Sequence, residues 1–250
     1  MTRPGDTWSV PPMQMHISHE DVHVWRAFVS SQGMNTARLY DILTAEEREK
    51  AGRFHFAQHR HTFIATRGVL RLILARYTGI EAPAIRFGYG PHGKPFLAND
   101  EGAAGLSFNM SHSHGLALYA IACKRRVGID VEYISGDLAA ERIAEHFFSP
   151  AEVAALRSLP AEVQNQAFFN CWTRKEAMVK AIGDGLSFPL DAFDVTLAPG
   201  EPAALLAIRT PNQDIGRWML HALYPADGYV AALAVEGYGW RLQCWQWDDM

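Results

Sequence analysis

Val127-Gly128-Ile129-Asp130-Val131-Glu132 is a short apolar run carrying two carboxylates two residues apart. A strand sends alternate side chains to opposite faces. Asp130 and Glu132 therefore point one way, with Cα atoms roughly 6.6 Å apart, while Ile129 and Val131 enter the other face. Two carboxylates on one face of a buried strand need a cation. Mg²⁺ suits them because it takes oxygen ligands, accepts few carboxylates, and leaves its remaining positions to water and substrate phosphates. The hexapeptide also reads as an ordinary strand whose acids face water, so the choice rests on the rest of the chain.

At 250 residues the chain is long enough for one large domain or two smaller ones. Hydrophobic residues at 48% and charged residues at 20% are globular values. No run of about eighteen apolar residues and no signal-like start is visible, so the expected location is the cytoplasm, with no membrane association. Cys123, Cys171 and Cys244 are odd in number and widely spaced. They offer neither a disulfide framework nor a zinc spacing and read as buried small residues. A net charge of −4 argues against a nucleic-acid partner. From Arg38 to Arg86, however, nine Arg and Lys face five acids. That local excess is either a solvated helix face or a surface for an anion.

Along the chain, residues 1 to 12 read as a loose terminus, and Met13 to Ile17 and Val22 to Val29 as strands. A short helix is expected from Asn35 to Leu43. Thr44-Ala45-Glu46-Glu47 fits a capping box that opens a helix to about Phe56. A longer helix covers His59 to Tyr77, stopped by Gly79. His55, His59 and His61 lie among arginines without a carboxylate to complete a metal site. Pro83 to Tyr89 reads as a strand, and Gly90-Pro91-His92-Gly93-Lys94-Pro95 as a turn that holds Lys94 between glycine and proline. Leu106 to Cys123 reads as strand, polar turn, strand. Ser149-Pro150-Ala151-Glu152 is a second capping box.

The longest helix is expected from Ala161 to Ile182. Its Phe169, Trp172, Glu176 and Val179 share a stripe, and Lys180 lies one turn beyond Glu176. A carboxylate on such a stripe needs a cation or a hydrogen-bond partner, although Glu–Lys pairs at this spacing also ornament surface helices. The last strands are expected at Phe193–Leu197, Trp218–Tyr224, Tyr229–Val235 and Trp240–Trp247. His114-Gly115 and Asp227-Gly228 each enter an apolar strand, and in each case a long helix comes before. This echo predicts two similar α+β halves, 1–126 and 127–250, with a site in the cleft between them.

Three segments resemble one family in order and spacing: Ser107-Phe108-Asn109-Met110-Ser111-His112-Ser113, Gly128 to Glu132, and Trp172-Thr173-Arg174-Lys175-Glu176-Ala177 continuing through Lys180 to Leu186. Gly93-Lys94-Pro95 and the Arg53-Phe54 region fit as well. The chain resembles the 4′-phosphopantetheinyl transferases of the larger single-chain type. That resemblance implies an α+β fold of two α/β halves related by a pseudo-twofold, with the metal site in the second half and a monomeric state. It implies transfer of the phosphopantetheine arm of coenzyme A to a serine of an apo acyl carrier or peptidyl carrier protein, with Mg²⁺, releasing adenosine 3′,5′-bisphosphate. By motif, Asp130, Glu132 and Glu176 would be the metal carboxylates, and Asp130 would also meet the coenzyme A pyrophosphate. Glu176 would be the general base, and Lys180 the cation for the pyrophosphate and leaving group. Ser111 and His112 would meet the 3′-phosphate side. Lys50, Arg53, Arg67 and Lys94 would bind the nucleotide or its phosphates, although some relatives carry a lysine near the position of Glu47, where an acid cannot hold phosphate. Another Mg²⁺-dependent phosphotransferase or nucleotide hydrolase, or a non-catalytic carrier-binding module, are the alternatives.

Overall fold

The computed structural model describes residues 7–30, 34–98, 105–136, 140–183, 185, 188–210 and 214–248. A five-stranded sheet contains β1 (Trp8–Ser9), β12 (Arg241–Gln246), β2 (Asp21–Phe28), β6 (Leu116–Cys123) and β5 (Leu106–Ser113), in that spatial order. A three-stranded sheet contains β10 (Trp218–Leu223), β11 (Tyr229–Glu236) and β7 (Val127–Tyr133). Alternation decides how they stack. Val22, Val24, Leu118 and Leu116 from the first sheet meet Val127, Ile129, Val131 and Leu233 from the second in one buried cluster. The opposite face of the first sheet is covered by α3 (Ala57–Thr78) and that of the second by α6 (Ala161–Ile182). The α+β architecture is therefore helix, sheet, sheet, helix. Among the described residues no helix is long and apolar enough to cross a membrane, and the three cysteines are free.

The two halves repeat element by element. α3 and α6 each span 22 residues and end on a left-handed glycine, Gly79 and Gly183. Before them lie α2 (Ala45–Gly52) and α5 (Pro150–Ser158), both opened by complete capping boxes. In each box the third helical residue is a glutamate that also reaches the long helix. Glu47 takes Arg67 at 2.5 Å and Arg71 at 2.8 Å, and Glu152 takes Lys175 at 2.7 Å. Arg71 and Lys175 are both the fifteenth residue of their helix. Buried cations at this position survive because a carboxylate and backbone carbonyls share their charge. Burial alone would raise the Glu47 carboxyl, but hydrogen bonds from Arg71 and from the Thr44 amide, with the Arg67 charge, hold it below the ordinary range.

The strands repeat in register too. The fourth residue of β6, Tyr119, pairs with Trp25, and the fourth of β11, Ala232, pairs with Asp130. Trp25 thus stands in the first half where Asp130 stands in the second. By helix position, Leu72 and Arg76 correspond to Glu176 and Lys180. The first half has a cation there and none of the acids.

Several expectations change. Trp8 and Ser9, expected in a loose terminus, pair in parallel with Cys244 and Trp245. Met13 to Ile17 is not a strand. The helix expected from residue 44 to 56 stops at Gly52, with Phe54 outside it. Sheet membership does not change over at residue 126, because β12 runs parallel to β2 and covers an edge the first half would otherwise expose. Its Trp245 and Trp247 rings then pack on Trp25.

On β7 the residues opposite the sheet-sheet core face α6. At Gly128 the two backbones touch: a Cβ there would lie 2.1 Å from the Ala177 carbonyl oxygen and 2.3 Å from the Ala181 nitrogen. Neither obstacle is a side chain that can rotate away. Gly128→Ala is expected to destabilise the fold by about 3 kcal/mol or more, measured by urea unfolding, through forced separation of β7 and α6. A loss under about 0.5 kcal/mol would show that the two elements are not held in contact here.

Candidate active site

Gly128, Asp130 and Glu132 form the row of β7 that faces α6. Against it α6 sets Trp172, Glu176 and Lys180, half-buried residues four apart whose neighbours in between are buried. Lys180 Nζ donates to Asp130 Oδ1 at 2.6 Å and to Ser111 Oγ at 3.2 Å. Ser111 Oγ donates to the same Asp130 oxygen at 2.8 Å. Asp130 is only 3% exposed, yet its second oxygen, Oδ2, is buried without a hydrogen-bond partner. A bare carboxylate oxygen in the interior is costly unless a cation meets it.

The side of β7 away from β11 is completed by side chains of β5. Asn109 Oδ1 accepts the Ile129 amide at 2.8 Å, and Ser113 Oγ accepts the Tyr133 amide at 3.2 Å while donating to Glu132 Oε2 at 2.8 Å. Asn109, Ser111 and Ser113 alternate in Ser107-Phe108-Asn109-Met110-Ser111-His112-Ser113, so a period of two brings all three toward β7. Asn109 and Ser113 escaped the sequence reading, although this alternation, in step with Asp130 and Glu132, was visible in it.

Electrostatics tie the acids together. Burial first, and then the Asp130 charge, raise the Glu132 carboxyl, with Ser113 and Lys180 opposing and Glu176 adding to the rise. Burial and then Asp130 also raise Glu176, against Lys180. Three carboxylates and one ammonium leave an excess of negative charge in a half-buried cleft. Among the described residues no three acidic, His or Cys side chains already close around a single point. The donor set nevertheless fits Mg²⁺: hard oxygens, an orphaned buried Asp130 Oδ2, and mutual repulsion that a cation would relieve, with remaining positions for water or phosphate.

The other residues that the resemblance implies have neighbours of their own within the chain. Lys94 Nζ donates to the carbonyls of Val127 at 3.0 Å, Lys180 at 2.6 Å and Ala181 at 3.4 Å. It closes the C-terminal end of α6 and ties the 90–95 turn to the second half. Burial, followed by the Arg126 charge, lowers its ammonium to about 8. Arg67 is consumed by Glu47 and by the Tyr89 hydroxyl at 2.7 Å, because the acid at residue 47 draws it inward. Arg53 is exposed and pairs with Glu49. Lys50 is exposed, its ammonium 5.3 Å from the Phe63 ring centroid. It sits on a cavity of about 280 Å³ that Thr44, Glu46, Phe87 and Tyr89 also line. His112 has its proton affinity lowered, by burial and then by Lys180, with Asp130 opposing, which favours its neutral form. Asp184 and Leu186 of the third motif lie outside the described residues.

The chain is similar to known proteins over most of its length. A family model described as "4'-phosphopantetheinyl transferase superfamily" matches residues 126–234, and one described as "4'-phosphopantetheinyl transferase, N-terminal" matches residues 30–124. The 4′-phosphopantetheinyl transferase HetI of Nostoc sp. is 40% identical over 241 residues, covering 96% of this chain and 98% of that protein. A 4′-phosphopantetheinyl transferase of Bacillus subtilis is 33% identical over 160 residues, covering 64% and 69%. The psf-1 transferase of Bacillus pumilus is 34% identical over 178 residues, covering 71% and 72%.

Folding raises the proton affinities of Glu132 and Glu176 above the ordinary value of 4.5. The folded chain thus holds these protons more tightly than the unfolded one, and their contribution to stability falls as pH rises from 4.5 through the folded values. A Glu132→Gln/Glu176→Gln double variant without metal should therefore unfold at higher temperature than the parent, by a margin that widens from pH 5 toward neutrality. Mg²⁺ at neutral pH should raise the parent's midpoint and leave the double variant unmoved. A margin independent of pH would contradict the clustered acids.

Proposed function

This chain belongs to the 4′-phosphopantetheinyl transferase superfamily, and on that footing we propose that it moves the 4′-phosphopantetheine arm of coenzyme A onto a serine of an apo carrier protein in a Mg²⁺-dependent reaction. The observation that carries the metal reading is the buried, partnerless Asp130 Oδ2 beside two further acids. Asp130, Glu132 and Glu176 would hold the ion. When bound, it supplies charge neutralisation for the diphosphate as the leaving group departs.

The chain's own groups do the rest. The serine oxygen forms a bond to the phosphorus next to pantetheine while the bond from that phosphorus to the bridging oxygen breaks, freeing adenosine 3′,5′-bisphosphate. The serine proton goes to Glu176, directly or through a water. Its raised proton affinity makes this carboxylate a better base than an exposed one. Lys180 has two of its three N–H donors on Asp130 and Ser111, which aims the ammonium into the site and leaves the third for a phosphoryl oxygen. Ser111 keeps Asp130 Oδ1 occupied. Lys50, beside the cavity near Phe63, and neutral His112, as a hydrogen-bond donor, serve the nucleotide end of coenzyme A, with Arg53 at the exposed rim. Lys94 contributes by bracing α6, and Arg67 by fixing α2 against α3. One chain supplies β7 and α6 from the second half and β5 from the first, so the proposed acting form is a monomer, and its proposed location is the cytoplasm. Of the proposed halves, 1–126 and 127–250, the second lends β12 to the sheet of the first.

Intact-mass measurement with coenzyme A, Mg²⁺ and apo acyl and peptidyl carrier proteins tests this reading. One carrier should gain the mass of a single phosphopantetheine arm. Asp130→Asn should abolish the gain, and Glu176→Gln should slow it by about 10²–10⁴-fold. A carrier modified at the parent rate by Asp130→Asn would overturn the site.

A further inference from the structure

Resting on the metal reading above, we infer that Ser113 is a positioning residue for metal capture, keeping the Glu132 carboxylate in the cleft before any cation arrives. Asp130 is held by two donors, Ser111 and Lys180. For Glu132 the hydrogen bond from Ser113 is its tie among the described residues. Glu132 is half-buried at the end of the carboxylate row, next to exposed Tyr133. The charges of Asp130 and Glu176 both repel it. Without a donor, a long carboxylate so placed would turn to water, and ordering it again would fall on the metal-binding step.

The Ser113 hydroxyl has one proton to give and two neighbours to take it. Glu132 Oε2 lies at 2.8 Å, and His114 Nδ1 at 3.2 Å. A carboxylate is the stronger and nearer acceptor. The Tyr133 amide, donating to Ser113 Oγ at 3.2 Å, fills a lone pair on the other side.

The serine is itself fixed. It is 8% exposed and closes β5 against Leu116. The tight turn that follows uses left-handed His114, φ 43°, and Gly115, φ 84°. That turn is anchored from the second half, where the Tyr229 hydroxyl donates to the His114 carbonyl at 2.7 Å. The Tyr133 ring packs between those of His114 and Tyr229, with centroids 4.9 and 5.1 Å away. Contacts from the second half thus hold the turn that follows Ser113, and Ser113 passes that rigidity to Glu132.

Mn²⁺ titration followed by electron paramagnetic resonance, with protein alone and no coenzyme A or carrier, reads this directly. Ser113→Ala should weaken Mn²⁺ binding about tenfold, the effect of one hydrogen bond to a charged group. Ser113→Thr should restore binding to within about twofold of the parent. In the transfer assay Ser113→Ala should need more Mg²⁺ for half-maximal rate and regain most of kcat at saturating Mg²⁺, a split that general destabilisation does not produce. Should Ser113→Ala fail to fold, Ser113→Cys keeps the shape with a weaker donor and should fall between parent and the tenfold loss. Parent-like Mn²⁺ affinity in Ser113→Ala, or in Ser113→Cys if that variant is used, would overturn the inference, as would equal losses in Ser113→Thr and Ser113→Ala. Absence of Mn²⁺ binding by the parent would instead overturn the metal assignment itself and take this inference with it.

Discussion

Backbone contact between β7 and α6 at Gly128 is the constraint on which the site depends. A strand and a helix normally pack through side chains that hold their backbones apart. Here the missing Cβ lets the strand meet the helix backbone at Ala177 and Ala181. Asp130, two residues along, then comes within hydrogen-bond reach of Lys180, and its charge is felt at Glu176. Lys94 locks the same junction from outside by donating to carbonyls on both elements. The acids gather because the backbones are forced together, and their mutual repulsion is opposed by the Lys180 charge and by hydrogen bonds from Ser111 and Ser113.

The repeat shows what a site needs beyond a fold. Both halves place a 22-residue helix over a sheet, and both anchor it by a capping-box glutamate and a buried cation at one helical position. In the first half Trp25 stands at the place of Asp130, and Arg76 lies over its ring at 5.3 Å. In the second, Lys180 meets a carboxylate. The same cation position meets an aromatic ring in one half and a carboxylate in the other. His23 stands in the first half where Gly128 stands in the second. It is buried and bonded to Tyr77, and burial lowers its proton affinity to about 4, so the first half closes on neutral aromatic contacts.

Much of this was legible in the chain because it is local. Both capping boxes, the bounds of α6, the glycine stops and the hairpin turns depend on residues within a few positions of each other, and the structure keeps them. The carboxylate row followed from strand alternation alone. What stayed hidden depends on distant partners. Arg67 reads as a free basic residue until Glu47 pairs with it, and the hydrogen bonds of Lys94 to carbonyls at the end of α6, some 86 residues later, leave no local sign. β12 gives no local sign that it returns to the first sheet. The Asn109, Ser111, Ser113 alternation was present, but its meaning required knowing that β5 runs beside β7.

The most direct test is anomalous diffraction from crystals grown with Mn²⁺ and coenzyme A. One strong Mn²⁺ peak is expected, ligated by the carboxylates of Asp130, Glu132 and Glu176, with the coenzyme A diphosphate on its open side and Lys180 Nζ alongside. A Mn²⁺ peak elsewhere, or a diphosphate bound without contact to the β7 carboxylates, would contradict it.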